Sequence, residues 1–252
     1  MSVNSKSELL ALQAVSEAVA RTLRQMIAHA QVGISTQELD EYGFQLLSAY
    51  GANPAPKQSY GFPGYTCISV NHEVAHGIPS PRTILQEGDL VNVDVSAELD
   101  GYYGDNGASF VLGKDIHNLQ PLVNASKVIL RKAIGMIRGG VRIRDMGRLV
   151  ETESRKAGFR VIKNLSGHGI GRQLHEAPNE IPSYYDRFNL ERFRKSSVVA
   201  IETFISTRTS YVQPKGDGWT LITRDGSYVA QHEHTVVVSD GTPLILTAAN
   251  GF

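Results

Sequence analysis

Leu90-Val-Asn-Val-Asp-Val-Ser-Ala-Glu-Leu-Asp-Gly-Tyr-Tyr-Gly-Asp-Asn-Gly-Ala-Ser-Phe110 reads as two strands joined by a turn. Val91, Val93 and Val95 alternate with Asn92 and Asp94, so the valines share one face and the polar pair the other. Asp100-Gly101 is a hairpin signal, and Tyr102–Leu112 is the returning strand. A turn centred between Leu99 and Asp100 sets Asp94 opposite Asp105, to within a residue of register. Two carboxylates facing each other at ~5 Å repel unless a cation or a shared proton lies between them. Taken alone, the hairpin leaves a second reading open, in which both aspartates are solvated on an exposed face.

Two later strands bear on that choice. Val198-Val-Ala-Ile-Glu-Thr-Phe-Ile205 has almost no polar group besides Glu202 and Thr203, so Glu202 points into a buried site. A lone buried carboxylate is costly without a partner such as a metal. Glu233, within Tyr228–Val238, repeats the situation on another strand. Cys67–Val70 is a further strand-like run.

Helical spacing fills the intervals. Leu9, Leu12, Val15, Val19, Leu23, Met26 and Ile27 recur every three or four residues, and Gly33 ends that helix. Ser35 with Glu38 forms a capping-box pattern opening a second helix that runs to Gly51. The pattern returns over Leu122–Ile137, stops at Gly139-Gly140, and resumes from about Asp145 to Gly158. Helices, strands, helices, strands is an α+β order. The halves also resemble each other: Gly33 and Gly140 lie 107 positions apart, and Asp94 and Glu202 lie 108 apart. Such a repeat would bring a carboxylate from each half to a central, pseudo-twofold site.

Composition bounds the function. A 252-residue chain with 41% hydrophobic and 20% charged residues can build a substantial core and is no disordered chain. Twenty-five basic and 25 acidic residues cancel, so no global field draws the protein to nucleic acid or to an anionic membrane. The single cysteine, Cys67, fits a reducing compartment and leaves no intrachain disulfide. The opening residues lack the apolar run of a signal peptide, and no stretch approaches the ~20 apolar residues of a membrane span. A cytoplasmic location is expected.

Histidines add nitrogen to the acids. His168 lies in Ser166-Gly-His-Gly-Ile-Gly171, where glycines permit close backbone approach and a tight loop is expected. His76 and His175 also sit beside likely turn residues. An oxygen-rich set with one imidazole favours Mn, Fe or Co over a thiolate-type structural zinc site, and four acids can hold two metals. A rival set is His232 with His234, a His-x-His pair on the opposite face of its strand from Glu233. No Gly-x-Ser-x-Gly elbow occurs, and Cys67 has no identifiable base, so a covalent nucleophile is not expected.

Taken together, Thr66-Cys-Ile-Ser-Val-Asn71, Val74-Ala-His-Gly-Ile-Pro79, Gly88–Asp94, Gly167-His-Gly-Ile-Gly-Arg172, His175-Glu-Ala-Pro178 and Gln231-His-Glu-His-Thr235 closely resemble type I bacterial methionine aminopeptidases, over about residues 5–247. The resemblance implies the pita-bread fold: one catalytic domain over 1–252, with pseudo-symmetric halves of roughly 1–115 and 116–252, an antiparallel sheet core and helices outside. It implies two divalent metal ions (Mn, Fe, Co or Zn) on Asp94, Asp105, His168, Glu202 and Glu233, with Asp105 and Glu233 bridging. It further implies Glu202 as proton shuttle, His175 on the substrate carbonyl and His76 near the scissile nitrogen. Cys67, Phe62, Tyr65 and Trp219 are the candidate methionine pocket, since thiol and aromatic edges suit a thioether. The implied substrate is the N-terminus of a nascent polypeptide with a small second residue, acted on by a monomer; ribosome association is left open. Thr203, Ser196-Ser197, Asn106 and Leu174 depart from the usual family pattern. Proline-directed peptidases and metal-free binding modules share the fold, and the retained acids and histidine argue against the latter.

Overall fold

The structure is a computed structural model describing residues 1–252. Its helices are α1 (Lys6–His29), α2 (Thr36–Ala49), α3 (Ala55–Tyr60), α4 (Gln120–Met136) and α5 (Ile143–Lys156). The strands of the first half are β1 (Asn53–Pro54), β2 (Cys67–Val70), β3 (Glu73–Ala75), β4 (Leu90–Leu99) and β5 (Tyr102–Val111). Those of the second are β6 (Arg160–Val161), β7 (Ser166–Gly169), β8 (Glu176–Pro182), β9 (Val198–Ser206), β10 (Gln213–Pro214), β11 (Leu221–Ile222), β12 (Val229–Val237) and β13 (Leu244–Ile245).

One ten-stranded sheet runs β1-β4-β5-β12-β9-β7-β8, with β2 on β4, β6 on β9 and β13 on β12. A separate small sheet joins β10, β11 and β3. The order places β4–β5 and β9–β12 as mirrored pairs about the β5/β12 contact, all antiparallel. Alternation decides what each face does. Val91, Val93 and Val95 pack with Leu12, Val15 and Val19 of α1, and Val199, Ile201, Ala230 and Val236 pack with Ile129, Leu130 and Ala133 of α4. The intervening positions on these strands carry the acids. Helices therefore cover one face of the sheet, and the opposite face holds Asp94, Asp105, Glu202 and Glu233. This is the α+β, pita-bread architecture expected from the sequence.

Two details differ from the sequence reading. Both Asp100 (φ 53°) and Gly101 (φ 79°) are turn residues in the left-handed region, so Leu99 pairs with Tyr102 across a two-residue loop. The turn centre is consequently one residue further along and each pairing partner two residues further: Asp94 faces Gly107, Asp105 faces Ser96, and the two acids are diagonal neighbours. Their shared face survives, because the displacement keeps both acids at alternate, same-face positions. The second correction is that Ser166–Gly169 is a strand rather than a loop, seated between β8 and β9. A Cβ on Gly167 would collide with the Ala200 carbonyl and one on Gly169 with the Ala177 carbonyl, which is why the strand is glycine-rich.

The capping box at α2 is complete. Ser35 Oγ accepts from the Glu38 N–H at 3.1 Å, and Glu38 Oε2 accepts from the Ser35 N–H at 2.7 Å. Ser35→Ala is expected to lower unfolding free energy by about 1 kcal/mol, read as a shift of the urea midpoint at unchanged slope.

Candidate active site

A cavity of about 370 Å³ opens on the acid-bearing face. Its floor holds Asp94 from β4, Asp105 from β5, His168 from β7, Glu202 from β9 and Glu233 from β12. Glu202 and Glu233 pair directly across β9 and β12, and His168 pairs with Ala200, two residues before Glu202. Five strands from both halves thus converge on one point. The tightest group is Asp105, His168 and Glu233, whose ligand atoms all lie within 4.8 Å of one another. His168 Nε2 is 3.8 Å from Asp105 Oδ2.

The electrostatics of this floor are those of a cation site. Burial raises the carboxyls of Asp105, Glu202 and Glu233 well above the usual range, and the charges of neighbouring acids push each further. Burial raises Asp94 as well, against opposing effects from a hydrogen bond with Asp105 and from His76. Burial, with His175 beside it, holds His168 down to about 3, so its imidazole is neutral. His168 Nδ1 lies 3.0 Å from the Gly169 carbonyl and must donate to it, which leaves the Nε2 lone pair for a ligand. Asp105 Oδ1 and Glu233 Oε1 are buried with no hydrogen-bond partner. Orphaned carboxylate oxygens beside a bare imidazole nitrogen fit a divalent cation of hard or borderline character. Gln231 steadies the floor, donating to Glu233 Oε2 at 3.0 Å while its own carbonyl accepts from Asn92 at 2.8 Å.

The walls carry most of the remaining residues singled out in the sequence. His76 (φ 54°) and His175 line the cavity, as do Cys67, Phe62, Trp219 and Leu174. Cys67 sits opposite Asp94 in the β2–β4 pairing, and burial pushes its thiol up. Phe62 meets Trp219 edge to face at 5.3 Å. Burial lowers His76 and His175 alike. Tyr65 is the exception. It precedes β2 in a bend, where its backbone N–H and that of Thr66 donate to the Asp40 carboxylate. Its ring stacks on Phe44 at 4.1 Å with Lys57 above it, away from the cavity. Tyr60, at the end of α3, lines the cavity instead, and its hydroxyl reaches His175 Nδ1 at 2.6 Å. Only the three-dimensional fold brings Tyr60 and His175 together.

The rival histidine pair lies behind the sheet. His232 Nδ1 meets Ser126 Oγ at 3.1 Å and His234 Nδ1 meets Thr247 Oγ1 at 2.8 Å, with the Phe252 ring against both. Alternation along β12 turns them away from the cavity that Glu233 enters.

Residues 11–240 match metallopeptidase family M24, and the chain belongs to that family. Within it the chain belongs with the methionine aminopeptidases. It is 48% identical to methionine aminopeptidase 2 of Bacillus subtilis strain 168, over 98% of this chain and 99% of that one. It is 42% identical to a methionine aminopeptidase of Staphylococcus epidermidis, over 98% of each. The crystal structure of methionine aminopeptidase from Thermotoga maritima superposes with a TM-score of 0.93 at 35% identity, covering 98% of this chain and 99% of that one. A prolidase from Pyrococcus furiosus, at 19% identity and a TM-score of 0.78, shares the fold. No helix is long and apolar enough to cross a membrane.

Proposed function

We propose that this chain, acting as one catalytic unit over residues 1–252, removes N-terminal methionine from polypeptides whose second residue is small. The observation that carries the reading is the buried Asp105–His168–Glu233 group with two orphaned carboxylate oxygens, under a cavity walled by sulfur and aromatic edges. Asp94, Asp105, His168, Glu202 and Glu233 would hold two divalent cations. Such ions supply Lewis acidity toward the scissile carbonyl and make a water acidic near neutral pH. The protein's own groups do the rest. Glu202 takes the proton from the attacking water and passes it to the departing amine. His175 donates to the carbonyl oxygen as negative charge develops there, and His76 faces the amide nitrogen. Cys67, Phe62 and Trp219 receive the methionine side chain. Turnover of Met-Ala-Ser, rejection of Met-Lys-Ser and no preference for Ala-Pro peptides test the reading directly; efficient cleavage of Met-Lys-Ser would refute the second-residue rule.

Leu174 bears on specificity at the first residue. It lines the cavity and is only 4% exposed, so its volume is part of the wall. Volume discriminates among apolar side chains by ~1–3 kcal/mol per methylene. The Leu174→Phe variant is expected to raise the kcat/KM ratio of methionine over leucine peptides several-fold, with metal content unchanged. An unchanged ratio would show that residue 174 does not touch the substrate.

A further inference from the structure

Tyr60 ends α3 at the rim of the cavity, half exposed, with its ring 5.5 Å from that of His175. Its hydroxyl oxygen lies 2.6 Å from His175 Nδ1, and no other protein group hydrogen-bonds that imidazole. The His175 ring lies 4.1 Å from that of His168, so it borders the floor where the acids converge. A neutral imidazole carries one N–H and one bare nitrogen, and its partners choose which is which. Between a phenol and a neutral imidazole the phenol is the more acidic donor and the imidazole nitrogen the stronger base. The contact is therefore O–H donating to a bare Nδ1, and the ring hydrogen is left on Nε2.

We propose that Tyr60 is a positioning residue which holds His175 in the Nε2–H form, so that the imidazole offers the cavity a hydrogen-bond donor and not a lone pair. The consequence for chemistry follows from charge. An oxygen gaining negative charge is stabilised by an N–H aimed at it and repelled by a lone pair. The Nδ1–H form would present the wrong edge, and a side chain that exchanged between forms would be competent for part of the time. Tyr60 removes that exchange by donating to the bare Nδ1. The inference rests on the reading of His175 as the group facing the scissile carbonyl.

Tyr60→Phe removes the hydroxyl and keeps the ring. Zinc-loaded protein labelled with ¹⁵N-histidine, with His175 assigned by its loss in a His175→Gln variant, reports the tautomer through long-range ¹⁵N–¹H correlations. Wild type is expected to show a protonated Nε2 and a bare Nδ1 at His175, and Tyr60→Phe to move both signals toward the tautomer average. In parallel kcat on Met-Ala-Ser should fall about 10-fold, with KM and bound metal within about twofold of wild type. An Nδ1–H His175 in wild type, or signals unmoved by the substitution, would overturn the proposal. Absence of methionine peptide cleavage by either protein would instead refute the proposed function, and the NMR result would still decide the role of Tyr60.

Discussion

Glu202→Gln is expected to lower kcat on Met-Ala-Ser by a factor on the order of 10² or more, while the folded state persists. The side chain lies in the cavity directly opposite Glu233, and burial together with the nearby Asp94 charge keeps its carboxyl well above the ordinary range. A carboxylate placed beside the attacking water can take its proton and return it to the departing amine. Glutamine keeps the shape and the hydrogen-bonding capacity but cannot be a base, and it withdraws one charge from the cation site. The loss should therefore appear chiefly in kcat, with metal content reduced rather than abolished. Near-normal kcat at saturating metal would remove Glu202 from the chemistry. Thermal unfolding of the variant serves as the control, since replacing a buried acid by a neutral isostere should leave Tm close to that of wild type or above it.

The second large effect is expected on removing divalent cations. Activity should vanish after dialysis against a chelator and return with Mn or Co, measured alongside elemental analysis of the protein. Stability should respond in a pH-dependent way whose sign is fixed by the acids. Asp105, Glu202 and Glu233 are raised well above ordinary values of 3.8 and 4.5 when no cation is bound. A carboxyl with a raised folded-state pKa contributes stability fully below its unfolded value and loses that contribution as pH rises through the folded one. Chelated protein is thus expected to become less stable relative to loaded protein as pH rises above the ordinary carboxyl values, and saturating cation to raise Tm more at the higher pH. A cation at about 100 times its Kd contributes about 2.7 kcal/mol. Full activity in protein shown to be free of metal would refute the cation site outright.

The sequence made two of the acids legible because Asp94 alternates with valines and Glu202 lies in a run with almost no other polar group. Alternation is a local signal: along β4 it separates the valine face, which packs on α1, from the face of Asp94, and along β12 it sets His232 and His234 apart from Glu233. Register was harder. It depends on where the hairpin turns, and the left-handed conformation of Asp100 as well as Gly101 places the apex one residue beyond the expected point. The glycine run around His168 concealed a strand, because its defining feature is the neighbouring backbone that glycine makes room for. Edge strand β8 (Glu176–Pro182), partly exposed and interrupted by Pro178, has no periodicity that would mark it. Helix α3, six residues long, is too short for a helical pattern. Tyr65 and Tyr60 show the same limit within the site. Both lie near Cys67 in sequence, and only the bend fastened by Asp40 decides that one ring packs against Phe44 while the other reaches His175.

The strand order has a bearing on synthesis. Glu233 is carried by β12, the central strand that joins β5 to β9, and Asp94, Asp105, His168 and Glu202 of the cavity floor all precede it in the chain. A polypeptide halted before residue 229 possesses Asp94, Asp105, His168 and Glu202, yet lacks the strip of backbone that makes neighbours of the two hairpin-like halves. Those residues then belong to separate fragments of sheet, and long-range pairing of this kind forms late because its loop-closure entropy must first be met. A chain without β12 therefore lacks both Glu233 and the pairing that brings the acids of β5 and β9 onto one face.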